Sequence, residues 1–392
     1  MRIIEAPKLL IGEHSVTAQE RFLATLGGDR TDRPFLWESV FLKEAVDRWH
    51  REGLPTDADA YEFLGFERAG HGGLDWGCVP ELGERVVADD DQYEFIEDEA
   101  GGILRRARTE APRGESIQTI QFPLRDRASW EIIKKRMDPR SPERRMCWQR
   151  FAQGKPGHPS PAGHSDGFSG SCVPEDGLPT LFSVLGPTYW FIIWAGFENA
   201  ALMLYDQLPL VEEIYEHLTW FVTAQMESAF SQRVPDAVML DEEATFKAGP
   251  FMSPATYHKL VCPKLGRIVD VCRKWAVPFV FLESGGNIAS LLPLWKEIGI
   301  NGIMPLDVSG GTDPIAVRRT HPDLALIGGI DRTVLTADPD GIRREVERTA
   351  RMFYQHGRSM PSIDAHGAVG AEVSFDNIRH YADCLQREAA RF

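Results

Sequence analysis

Short apolar runs, each ending in acidic or glycine-rich residues, recur through the second half of the chain. The clearest is Phe279 to Leu282, which passes into Glu283, Ser284, Gly285 and Gly286. A run of this length bounded by turn signals predicts a buried strand. The same pattern predicts strands at TLFSVLG (180–186), AVML (237–240), GIMPLD (302–307), LALIGGID (324–331) and SMPSIDAH (359–366). Helical spacing fills the intervals. Val211, Ile214, Tyr215, Leu218 and Phe221 or Val222 fall on one face of a helix, and Ser253 with Pro254 opens another as N-cap and first residue. That helix is expected to run past Pro263 to about Ala276, and Asn287 is expected to cap the helix at 288–299. From Pro187, TYWFIIWAGFENAALMLYD predicts one aromatic helix.

The first part of the chain is less regular. PFLWESV (34–40) is the candidate first strand, with Glu38 near its end. Residues 58–110 alternate between acidic runs and apolar pairs, which predicts an antiparallel insertion with hairpins at RVV, YEFIED and ILRRAR. A helix is expected over about 127–137, followed by a Gly, Pro, Ser and His-rich loop at 152–179 that reads as a lid. His158, His164 and Cys172 within it match no closed zinc spacing.

Repeated strand-then-helix units are the mark of a parallel sheet with crossovers. The expected fold is α/β, a single (β/α)8 TIM barrel over residues 1–392, with an eighth strand hidden in the first 150 residues. A doubly wound sheet is the alternative, but the chain carries no G-x-G-x-x-G or P-loop.

Composition narrows the function. With 43 basic and 58 acidic residues the formal charge is −15, which argues against nucleic acid or an anionic membrane as partner. No apolar run reaches membrane-spanning length, and six scattered cysteines without C-x-x-C fit a reducing cytoplasm.

In a barrel, residues at the carboxyl ends of strands converge on one mouth. That rule gathers Glu38, Asp241, Glu242, Glu243, Glu283, Asp307, Asp331, Asp364 and His366, of which Asp307 and Asp331 read best as helix caps or loop hydrogen-bonders. Crowded carboxylates are costly unless a cation or a proton sits among them. A divalent ion held by two or three acids and an imidazole meets that need, and zinc accepts such a set.

The ordered segments DEEATFKAGPFMSP, FLESGGNIASLLPLW, GIMPLDVSGGTDP, LALIGGIDRTVL and MPSIDAHGAVGAEVSFDN resemble the uroporphyrinogen decarboxylase superfamily, which also holds zinc-dependent methyltransferases serving corrinoid proteins. The resemblance implies a single barrel. It also shows departures. The arginine-rich RQAGR-type segment of the decarboxylases is replaced by PFLWESVFLKEA, and the methyltransferase H-x-C zinc pair falls on Glu283 and Gly285. What remains is similar to a branch with E-D-M-A-Y-K, D-S-D-G-N and D-H motifs, which puts Glu242, Glu243, Glu283, Asp364 and His366 on functional positions.

The expected site therefore has Glu242, Glu283, Asp364 and His366 as ligands to a divalent metal, zinc first, with Glu243, His366 and Glu38 as catalytic groups. Trp37, Tyr189, Trp190, Lys247 and Asn287 are expected to bind substrate. The expected function is metal-assisted methyl transfer from a small methylated compound to a corrinoid or pterin acceptor, by a cytoplasmic homodimer that meets a corrinoid protein. One alternative is a decarboxylase of a small carboxylate, which needs a basic residue such as Arg33 or Lys247 in the pocket. A non-catalytic ligand-binding barrel is the other.

Overall fold

A computed structural model describes residues 16–38, 40–80, 83–108, 117–144, 148, 171–172, 175–364 and 369–392. His158, His164 and most of the expected 152–179 lid lie outside the described residues, and so does His366.

The strands in chain order are β1 (Ala69–Gly73), β2 (Arg85–Asp89), β3 (Tyr93–Glu97), β4 (Ile103–Ala107), β5 (Ile117–Gln121), β6 (Ser171–Cys172), β7 (Thr180–Leu185), β8 (Ala237–Asp241), β9 (Thr245–Phe246), β10 (Gly249–Pro250), β11 (Phe279–Glu283), β12 (Gly302–Leu306), β13 (Ala325–Ile330) and β14 (Ser359–Ile363). The main sheet runs β14, β13, β12, β11, β8, β7, β1, β6, all parallel. Apart from the two-residue β6, its 7 strands curl into a half-barrel, the TIM-barrel-like arrangement that the sequence predicts.

Period-two alternation sorts the side chains of this sheet into two layers. Leu181, Met239, Phe281, Met304, Ile327 and Met360 form one cluster inside the curl. Their neighbours Phe182, Leu240, Leu282, Ile303 and Leu326 pack outward against the helices. Outside, the helix Leu208–Phe230 lays Val211, Ile214, Tyr215, Leu218 and Phe221 against the sheet, all buried.

The seam differs from expectation. Residues 35–38 form no regular strand, and Phe41 makes only an isolated bridge to Val369. The segment still joins the sheet's two edges: the Leu36 carbonyl accepts from the Glu67 N–H just before β1, and the Glu38 carboxylate accepts from the Ile363 N–H of β14 at 3.2 Å. The strand hidden in the first 150 residues is AGHGG, β1, whose glycines give no hydrophobic signal; it falls within the stretch assigned from sequence to the insertion. The insertion itself is a four-stranded antiparallel sheet, β2 to β5, so it extends past residue 110.

Two predicted helices are broken. The one after β7 stops at Ala195 and restarts at Phe197, because Gly196 has φ 74° and an added Cβ there would lie 2.4 Å from the Phe122 ring. The one opened by Ser253 divides into Pro254–Leu260 and Cys262–Lys274. Asn287 accepts from the Ala289 N–H at 3.1 Å in a local turn, and regular helix begins only at Leu292. Among the described residues no helix is long and apolar enough to cross a membrane.

Candidate active site

Which of three consecutive acids enters the barrel is settled by strand alternation. Along β8, Ala237 and Met239 belong to the inner cluster, so Asp241 shares their face and Glu242 takes the opposite one with Val238 and Leu240. Along β11, Phe279 and Phe281 place Glu283 inside by the same rule. Asp241 and Glu283 are register partners on adjacent parallel strands, whose backbones lie about 4.8 Å apart. Both are half-buried, whereas Leu240, Glu242 and Leu282 are buried.

The electrostatics follow from that placement. Asp241 Oδ1 is shielded from solvent and has no hydrogen-bond partner among the described residues. Burial first, then the nearby Glu283, Glu243 and Glu242 carboxylates, push the Asp241 carboxyl well above the usual carboxylate range. Two carboxyls at facing register positions oppose each other's ionisation, as like charges in close contact do. The next residue but one, Glu243, holds φ 42°, a left-handed backbone that a non-glycine residue adopts at a cost of about 1–3 kcal/mol.

Most other strand-end acids are braces between neighbouring loops. Glu242, fully buried, accepts from the Thr188 N–H and the Tyr257 hydroxyl, both at 3.3 Å, and the Trp295 indole N–H donates to that hydroxyl at 3.1 Å. Burial raises its carboxyl to about 8, against the lowering effect of these donors. Asp307 accepts from the N–H groups of Gly286 and Gly310, each at 2.7 Å. Asp364 accepts from Ser309 N–H at 2.8 Å and Arg332 N–H at 2.9 Å, while burial pushes its carboxyl up. Asp331 caps the short 3₁₀ helix Arg332–Thr336 through the Thr333 N–H. Ser284 Oγ accepts from the N–H groups of Ala244 and Thr245, both at 3.1 Å. Glu38, besides its bond to Ile363, accepts from the Tyr381 hydroxyl.

The expected metal set is therefore not assembled by the residues described. Glu242 faces outward, both Asp364 oxygens are taken by backbone donors, and His366 lies outside the described residues. Among the described residues no group of three or more His, Cys, Asp or Glu is placed to hold an ion. The expected substrate residues scatter too. Trp37 packs on the inner cluster, while Tyr189 and Trp190 belong to the outer core, with Trp190 against Trp194 at 4.6 Å between ring centroids. Lys247 is exposed in the turn between β9 and β10, and Asn287 is half-buried. Asp241 was visible among the strand-end acids but absent from the expected site; the two-residue period of AVMLD is the signal that selects it over Glu242.

A family profile described as uroporphyrinogen decarboxylase (URO-D) matches residues 176–387. The chain belongs to the uroporphyrinogen decarboxylase family. The matched stretch takes in β7 through the last helix, and so contains Asp241, Glu243 and Glu283. A solved methyltransferase from Methanosarcina mazei superposes with a TM-score of 0.54 at 12% identity, over 95% of this chain and 99% of that one. At that identity the likeness bears on the fold alone. No curated protein matches the sequence. Within the uroporphyrinogen decarboxylase family barrel, this chain thus presents a paired inner acid, Asp241 with Glu283, at the carboxyl end of the sheet.

Proposed function

We propose that the protein is an acid–base enzyme that moves a methyl group from a small, uncharged methylated compound to a second substrate, a corrinoid or pterin acceptor. Asp241 and Glu283 share one proton and deliver it to the leaving heteroatom. The acceptor's electron pair forms the new bond to carbon, the old carbon–heteroatom bond breaks, and its electrons take the proton. A positioned proton donor of this kind contributes about 10²–10⁴-fold in rate. The observation that carries the reading is the register pairing of the two acids on the inner face.

The same observation disfavours a carboxylate substrate. Like charges about 4 Å apart at an effective dielectric constant of ~20 repel by about 4 kcal/mol, and no Lys or Arg stands on an inner position of the named strands to offset it. Arg33 is bound to Glu67 at 2.7 Å, and Lys247 is exposed on its turn. Decarboxylation is the second reading, since a proton at the mouth also suits a developing carbanion.

The test follows methyl label from neutral O- and S-methylated compounds to corrinoid and pterin acceptors, alongside carbon dioxide release from small carboxylates. Transfer that collapses in Asp241→Asn and Glu283→Gln supports the proposal. Carbon dioxide release without any acceptor overturns it in favour of decarboxylation.

A further inference from the structure

Alternation along the strands also decides what the rest of the barrel interior is made of. From β11 to β13 the inward side chains Phe279, Phe281, Met304 and Ile327 are all apolar. The side that carries the seam is different. On β14, Met360 belongs to the inner cluster and Ile363 to an outer one, so Ser362 faces the interior. On β7, Ser183 shares the inner face of Leu181, and on β1, His71 shares that of Ala69. Segment 35–38, with the two-residue β6 beside it, closes the sheet between β14 and β1 and sets Trp37 against the same inner cluster. Ser362, Trp37, His71, Ser183 and Asp241 thus follow one another around the interior, an arc of polar groups that ends at the acids.

Two observations make this arc a place for a ligand. Ser362 is 1% exposed, and its Oγ, like Asp241 Oδ1, is shielded from solvent without a hydrogen-bond partner among the described residues. Such a hydroxyl is costly, and its presence calls for a reason outside the packing of the fold. Trp37, Ser183 and Asp241 are half-buried, so solvent reaches the interior along the same arc. His71, one layer deeper than Ser183 because it pairs with Leu181, is buried, and burial drives its imidazole down to about 3, which leaves the ring uncharged. Beyond the acids, the arc offers dipoles and no charge.

We propose that Ser362 is a substrate-binding residue, whose hydroxyl bonds an uncharged polar group, a carboxamide or a hydroxyl, at the end of the substrate away from the methylated heteroatom. This rests on the reading of the mouth as a methyl-transfer site, and it narrows the donor to small neutral methyl ethers or thioethers that carry such a group. A charged group in that place would lie among dipoles alone, and an apolar one would leave the hydroxyl unmet.

Three methyl ethers of similar size separate these cases: 2-methoxyacetamide, methoxyacetate and 1-methoxypropane. In ligand-observed NMR titrations of the full-length protein, the amide should bind at least about tenfold more tightly than the other two. In Ser362→Ala its affinity should fall to that of 1-methoxypropane, whose own binding should not change, and Ser362→Cys, a weaker donor of similar size, should lie between. The melting temperature of ligand-free Ser362→Ala should not fall, because the hydroxyl has no partner there to lose. Equal affinity for the three ethers, or binding of none, overturns the proposal, and so does an amide preference that survives in Ser362→Ala. Weaker binding of all three together with a lower melting temperature marks a structural role and overturns it too. Binding of the amide that depends on Ser362, with no methyl label passing from it to either acceptor, supports the binding role and counts against methyl transfer alone.

Discussion

Gly186 and Glu242 are fitted to each other: the carboxylate occupies the volume that any side chain at 186 would fill, 1.9 Å from the position of an added Cβ. Gly186 has φ −77°, which alanine adopts freely, so the cost of Gly186→Ala is steric alone. Overpacking of this kind costs about 1–3 kcal/mol. Urea unfolding should show that loss, and adding Glu242→Ala should return part of it. Strict additivity of the two changes in a double-mutant cycle would contradict the fit.

Asp241 stands where an acid costs the fold stability. A shielded carboxyl oxygen without a hydrogen-bond partner among the described residues, beside other acids, destabilises the folded state. Asp241→Asn should therefore raise the melting temperature at pH 7 while methyl transfer drops by about 10²–10⁴-fold. A lower melting temperature, or undiminished transfer, would count against the site.

Glu242 links stability to pH. Its folded-state carboxyl titrates at about 8 against an ordinary 4.5, so the folded state binds the extra proton. The resulting stability is complete below pH 4.5 and is lost as pH rises towards 8. Glu242→Gln removes the titration. Its stability relative to wild type should climb between these values, by a total on the order of 5 kcal/mol, and level off above. Paired denaturation curves at pH 5, 7 and 9 check this, and a constant offset would refute it.

Gly286 sits where backbone meets backbone. With φ 73° and an added Cβ 2.4 Å from the Phe246 carbonyl carbon, Gly286→Ala strains its own conformation and pushes the β9–β10 hairpin away. A loss of about 1–3 kcal/mol in unfolding free energy is expected, together with faster amide exchange at Thr245 and Asn287. Wild-type exchange at both amides would show that the contact does not hold the hairpin.

The parallel sheet was legible because β7, β8 and β11 to β14 each carry an apolar run with a clear stop. β1 was not, since AGHGG has almost no apolar side chain to reveal it. PFLWESV had the composition of a strand, and its role at the seam is strand-like, but side-chain bonds from Glu38 and Glu67 stand in for a regular ladder there. The site was half legible. Position at a strand end picked out the acids around the mouth as a group, while telling a loop brace from an inward-facing acid required knowing which face each one takes. Glu242 and Asp364 have the same sequence context as Glu283, and only the backbone donors that meet them make the difference.

The loop-bracing acids also bear on how such a mouth can be remodelled. Asp364 joins the segments at 309 and 332, Asp307 reaches 286, Ser284 reaches 244 and Glu242 reaches 188, so each connection after a strand is stitched to the next one around the opening. A transplanted segment must therefore bring donors that suit both of its neighbours, and specificity in this scaffold is best redesigned by exchanging adjoining segments together.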